Sequence, residues 1–126
     1  QILQFYQDNH ISIQISKHEG LGIGFYESCY MNTPVLSVDE SPHNEIIHHN
    51  KNGWLVKCWL ESDEERDCSD TIKQIHFKEE DLQNMIINIL TNIENTNQVI
   101  SNTKIYINEV HNLYIFSKKI LQILDN

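Results

Sequence analysis

Alanine is absent from the 126 residues, and glycine, proline and cysteine occur only four, two and three times. Isoleucine and asparagine are abundant instead, which we read as a compositional bias with no functional content. No run approaches the roughly eighteen apolar residues that a membrane span needs. No basic stretch followed by an apolar block opens the chain, so no secretory signal is read there. The cysteines, Cys29, Cys58 and Cys68, are odd in number and widely spaced. That excludes a disulfide framework and suits a reducing compartment, the cytoplasm or the cytoplasmic face of a membrane. Basic residues are also few, nine against eighteen acidic ones, for a net charge of −9. Such a surface repels nucleic acid backbones and anionic lipid, so neither is expected as a partner. The acid gathers in "ESDEERDCSD", Glu61 to Asp70. It lacks the spaced Asp/Asn and Gly of a calcium loop and reads as a solvated loop.

What remains is ordinary for one soluble domain with a modest core: 40% hydrophobic and 21% charged. The chain opens on "QILQFYQDNH", which reads as the last turns of a helix, so a piece of something longer is expected. "ISIQIS" (11–16) alternates isoleucine with polar residues and predicts a strand. "GFYESCYMN" (24–32) predicts a helix, with Phe25, Ser28, Cys29 and Asn32 along one stripe. Asn32 suits its end, because asparagine tolerates the left-handed conformation. "VLSV" (35–38) predicts a buried parallel strand. "SPHNEIIHHNKNG" predicts a helix with Ser41 as cap and Pro42 at its first position, ending at Asn52-Gly53. "WLVK" predicts a third strand. Strand and helix thus alternate through residue 57, the pattern of an α/β fold with a parallel sheet. Residues 58–77 are polar and irregular and read as an insertion loop. Residues 78–126 read as closing helices. The first carries Leu82, Met85, Ile86, Ile89, Leu90 and Ile93 on one face, with Glu79, Glu80 and Asp81 at its N-terminus. A second, from about Asn97 to Leu124, carries Val110, Leu113, Tyr114, Ile120, Leu121 and Leu124.

Three of the four glycines sit in "SKHEGLGIGFYE", between the first strand and its helix. A strand, a glycine turn and a helix make a natural anion site, since unpaired amides point outward at the positive end of the helix dipole. Gly20, Gly22 and Gly24 are one residue short of the dinucleotide spacing, and Gly-Lys-Ser/Thr is lacking, so neither a dinucleotide fingerprint nor a P-loop fits. Glycines placed only for tight strand-to-helix packing are the rival reading. That reading leaves two carboxylates unexplained: Glu19 at the ligand edge of the sheet, and Glu27 within an otherwise apolar helix.

The stretch from Ile11 to Val56 resembles the C-terminal, nucleotide-sugar-binding half of the group 1 (family 4) glycosyltransferases of GT-B fold. The resemblance rests on Ser16, then Glu19-Gly20-Leu21-Gly22, then Glu27 after seven intervening residues, then Pro34-Val35, Asp39, Glu45-Ile46-Ile47 and Asn52-Gly53-Trp54-Leu55-Val56, all in register. It implies a Rossmann-like sheet with flanking helices, the 126 residues forming part of that domain. It implies transfer of a sugar from a nucleotide-diphosphate donor, a UDP- or GDP-sugar, to an acceptor, with retention and without a metal or other cofactor. Glu27 would accept hydrogen bonds from the ribose diol. Gly20 and the amides of Leu21, Gly22 and Ile23 would admit and hold the diphosphate. Glu19 would act at the anomeric centre as the catalytic carboxylate. His18 is read from its place beside Glu19 and not from the resemblance: it faces the donor sugar or is a rim residue. The family's basic pair for the diphosphate, and the acceptor-binding domain, are expected before Gln1. Two departures stand out. Glu27-Ser28-Cys29-Tyr30 replaces the usual Glu-Ala-Met-Ala, and Ser41-Pro42-His43-Asn44 replaces the glycines before the third glutamate. A non-catalytic nucleotide-sugar-binding or scaffold module is the alternative. Among the histidines, Glu45 and His49 are four apart and form a candidate metal pair, but no second pair follows, and satisfied or surface histidines are expected. Trp54 and Trp59 are expected to pack rather than to stack on a ligand.

Overall fold

The computed structural model describes residues 2–62 and 73–110. Leu113, Tyr114, Ile120, Leu121 and Leu124, and most of the acidic stretch with Cys68, lie outside the described residues.

Three parallel strands form the centre, in the order β1 (Ser12–Ile13), β2 (Val35–Val38), β3 (Gly53–Val56). The fully buried burial pattern of β2 fits a strand covered on both faces. Successive β2 side chains serve opposite faces. Val35 joins Phe25, Cys29, Ile46, Ile47 and Ile107. Leu36 joins Trp54, Val56, Ile89 and Val99. The first face is covered by α2 (Ile23–Tyr30), α3 (His43–Ile46) and the far end of α5 (Ile93–Val110). The second is covered by α4 (Glu79–Thr91) and the start of α5. A short α1 (Ile2–Gln7) precedes β1 and packs on α2. This is the expected α/β, Rossmann-like arrangement.

The local reasons are specific. α2 ends in a Schellman motif: the Thr33 amide reaches the Ser28 carbonyl at 2.9 Å and the Asn32 amide reaches Cys29 at 3.0 Å. Asn32 sits in the left-handed region at φ 65°, as its side chain allows. Gly53 is forced by proximity, since a Cβ there would run into the Val35 carbonyl of β2. Buried Asn52 fixes the turn before it. Its Oδ1 accepts from the His48 amide at 2.7 Å, and its Nδ2 donates to the Ile46 carbonyl at 2.9 Å. The Asn52 carbonyl accepts from Thr103 Oγ1 of α5 at 3.4 Å, so this one residue ties three elements.

Several expectations are revised. β1 is shorter than 11–16, although the Gln14 amide still pairs with Leu36 at 3.0 Å. Ser41 makes no cap bond; Pro42 is the flanking residue, and α3 is one turn only. Residues 58–77 are not all loop. β4 (Cys58–Leu60) and β5 (Ile75–Phe77) pair antiparallel. Alternation was too brief over three residues a side to stand out within a polar stretch. α4 and α5 abut at Asn92, so the second helix begins at Ile93 rather than Asn97. Of the α4 stripe, Ile89 is buried, Leu82, Met85 and Ile86 are half-buried, and Leu90 and Ile93 are exposed.

Candidate functional site

Parallel strands leave their C-terminal ends on one edge of the sheet. There the β1–α2 turn, the β2–α3 loop and the exit of β3 converge. The glycine turn lies on this edge, and its three glycines have three causes. Gly22, just before α2, is at φ 61°, and a Cβ there would lie 2.7 Å from the Phe25 ring. Gly24 lets Gln14 of the strand lie against the helix, since a Cβ would lie 2.7 Å from Gln14 Oε1. That side chain is itself held, donating to the Gly24 carbonyl at 3.1 Å and Ser12 Oγ at 2.9 Å. Around Gly20 a Cβ would meet nothing within 4 Å. The packing reading is therefore right for Gly22 and Gly24. Gly20 is the one that leaves open space.

The turn already holds an anion of its own. Glu19 Oε1 accepts from the amides of Gly20 at 3.0 Å and Gly22 at 3.1 Å. The amides of Leu21, Ile23 and Gly24 have no partner among the described residues, as expected where a helix begins. The Leu21 and Ile23 side chains project into solvent, 76% and 61% exposed. They leave the backbone, not the side chains, to line the turn. Expected site residues Glu19, Gly20, Leu21, Gly22 and Ile23 are thus brought together. His18 is exposed on the rim.

Glu27 lies one turn into α2, half-buried. It has no hydrogen-bond partner among the described residues, and it helps hold the Tyr6 phenol of α1 above its ordinary pKa, burial being the larger cause. A carboxylate in that position retains both oxygens for another donor pair.

His43 falls among the histidines expected to be satisfied or at the surface, and it is satisfied; its place beside the site was missed from sequence. It is fully buried at the start of α3, ring edge-on to Phe25 with centroids 5.2 Å apart. Burial holds its pKa below the usual value, against the opposing pull of Glu19 and Glu40. The sequence carried one signal for it: Ser37 is a polar residue inside an all-buried strand, which needs a polar neighbour. Ser37 Oγ meets His43 Nδ1 at 3.0 Å. The hairpin of β4 and β5 was missed as well. Its Ile75 amide bonds the Lys17 carbonyl at 2.9 Å, which places the Leu60/Ile75 end of the pair beside the glycine turn.

The remaining candidates separate. Glu45 and His49 do not share a helical face, because α3 ends at Ile46 and Ile47 is extended. Glu45 accepts from Ser41 Oγ, and His49 Nδ1 accepts from the Leu55 amide at 3.1 Å. Among the described residues no three His, Cys, Asp or Glu side chains gather as a metal site. Cys29 is buried and its thiol is pushed up to about 12 by burial, which suits packing rather than reactivity. Trp54 is wholly buried, whereas Trp59 is 47% exposed and stacks on His76. A cleft of about 580 Å³ between β3 and α4, lined by Asp39, His49, Lys57, Asp81 and Asn88 among others, contains none of the expected site residues. Among the described residues no helix is long and apolar enough to cross a membrane.

Comparison with known proteins agrees with the geometry. A search of curated proteins found no match to the chain. The family model for glycosyl transferases group 1 matches residues 1–91, which takes in the sheet, the glycine turn, both glutamates and α4. The chain belongs to the group 1 glycosyltransferases.

Proposed function

We propose that these residues form the donor-binding half of a retaining glycosyltransferase that uses a nucleotide-diphosphate sugar, a UDP- or GDP-sugar. The observation that carries the reading is the amide turn at the sheet edge. It binds a carboxylate oxygen in its own structure, and Glu27, a carboxylate with no hydrogen-bond partner among the described residues, stands one helical turn away. The turn suits a diphosphate, whose charge the free amides and the helix end would offset, and which they would stabilise as it leaves. Glu27 suits the ribose diol. Glu19, released from the turn, would face the anomeric region, and His18 the rim of the sugar. A departing diphosphate that takes the acceptor's proton requires no protein nucleophile, so Glu19 need only stabilise developing positive charge. Charge neutralisation by amides and protein cations, without a metal ion, is part of the proposal, as is an acceptor-binding domain outside these residues.

Titration of the full-length protein with uridine and guanosine diphosphates, followed by a transfer assay with the matching sugar donors, tests it. Binding of one diphosphate together with transfer supports the reading. Binding without transfer to any acceptor would favour a non-catalytic nucleotide-sugar-binding module. Sugar transfer by residues 1–126 alone would contradict the division of labour.

A further inference from the structure

His43 is buried, tightly packed and unused by the chemistry above, yet both ring nitrogens have hydroxyl partners. Ser37 Oγ lies 3.0 Å from Nδ1, and Ser16 Oγ lies 3.4 Å from Nε2. The direction of these bonds can be worked out. Ser37 Oγ is 2.8 Å from the Gln14 carbonyl, which can only accept, so the single Ser37 proton goes there. Ser37 is left with lone pairs for His43, and Nδ1 must carry the ring proton. Burial keeps the ring neutral, so Nε2 is a bare acceptor facing Ser16. The one proton of Ser16 is drawn down onto it. The outward side of Ser16 Oγ then offers only lone pairs.

Ser16 is half-buried, so part of it reaches the surface. It lies three residues beyond the end of β1 and three before Glu19, at the edge where the glycine turn lies. Glu19 is near enough to act on the charge of His43. An acceptor fixed in direction at that point matches a ligand group that donates, and a sugar ring carries hydroxyl donors where a bare diphosphate carries none.

Resting on the donor-site reading, we propose that Ser16 is a hydrogen-bond acceptor for a hydroxyl of the transferred sugar, and that His43 is a positioning residue that fixes its direction. The Gln14–Ser37–His43–Ser16 chain sets that direction from the middle of the sheet outward.

The test compares paired ligands on the full-length protein: UDP-glucose against UDP, and GDP-mannose against GDP. Ser16→Ala is expected to weaken the sugar donor about fivefold, the worth of one hydrogen bond, and to leave the bare diphosphate unchanged. His43→Leu should do the same, the double variant should be no worse than either single one, and Ser16→Thr should retain the sugar affinity. Equal loss for both members of a pair, or no loss for either, overturns the inference. A wild type that binds neither member overturns the donor-site reading beneath it. A second measurement needs no variant. Nitrogen NMR of the wild type should show a protonated Nδ1 and an unprotonated Nε2 for His43, and the opposite tautomer refutes the chain.

Discussion

Glu19→Ala should tighten the binding of free nucleoside diphosphate while lowering turnover. One oxygen of Glu19 occupies the amides of Gly20 and Gly22 at 3.0 and 3.1 Å. A diphosphate that uses the same turn must displace it. Charge-assisted hydrogen bonds contribute about 1.5–3 kcal/mol when buried. These two are on a partly exposed turn and a single oxygen is shared, so about 1 kcal/mol in total is taken for the contact that must be broken. Removing a carboxylate beside an incoming dianion relieves repulsion of comparable size in a solvated site, about 1 kcal/mol. Together they amount to about 1–2 kcal/mol, or roughly five- to thirtyfold in Kd. Glu19→Gln should fall between, because its neutral carbonyl oxygen can still accept from both amides. Calorimetry of the full-length protein with UDP and GDP reads this directly, and steady-state transfer reads turnover. Weaker diphosphate binding in Glu19→Ala, in a protein whose wild type binds, would refute the displacement argument.

Other outcomes follow from the same structure. Glu27→Ala should raise the donor Michaelis constant about tenfold, for the loss of two hydrogen bonds to a diol, with a smaller effect on turnover; unchanged kinetics would remove Glu27 from the site. Asn52→Ala should cost about 3 kcal/mol in denaturant unfolding, since it strands the Ile46 carbonyl in the core and the part-buried His48 amide beside it. His43 makes stability depend on pH. Its folded pKa lies below the unfolded value of about 6.5, so the unfolded chain binds the extra proton, and stability is complete above that pH. Stability should fall as pH drops through about 6.5 towards the folded pKa, and His43→Leu should flatten that part of the profile. An unchanged slope would show that Glu19 and Glu40 offset the burial of His43.

The architecture was legible where local chemistry and burial agree. A short, mostly apolar β2 between turn signals, asparagine at the left-handed end of α2, and Asn52-Gly53 before β3 each have a short-range cause that residue types announce. The turn and its glutamates were legible for the same reason, being contiguous. The failures share another property. Ser16, Ser37 and His43 are spread over 28 residues and become a unit only when two βα connections meet at one edge. β4 and β5 are held by pairing with each other across residues 61–74, and by a bond to Lys17 that no local pattern signals. α3 was overextended because "HNEIIHH" offers helical spacing, whereas Asn52 pulls residues 46–48 into a turn instead.

The family match ends at residue 91, two residues before α5 begins. Yet α5 places Ile107 in the core on one face of the sheet and Val99 in the core on the other. Its Thr103 hydroxyl reaches the carbonyl of Asn52, more than fifty positions back along the chain. The recognisable unit and the folding unit are therefore different lengths. A polypeptide stopped at residue 91 would keep every residue of the motif and both glutamates. It would also uncover part of both faces of the sheet, losing Ile107 from one core and Val99 from the other, so inactivity of such a fragment would report on an unfinished fold and not on the donor site.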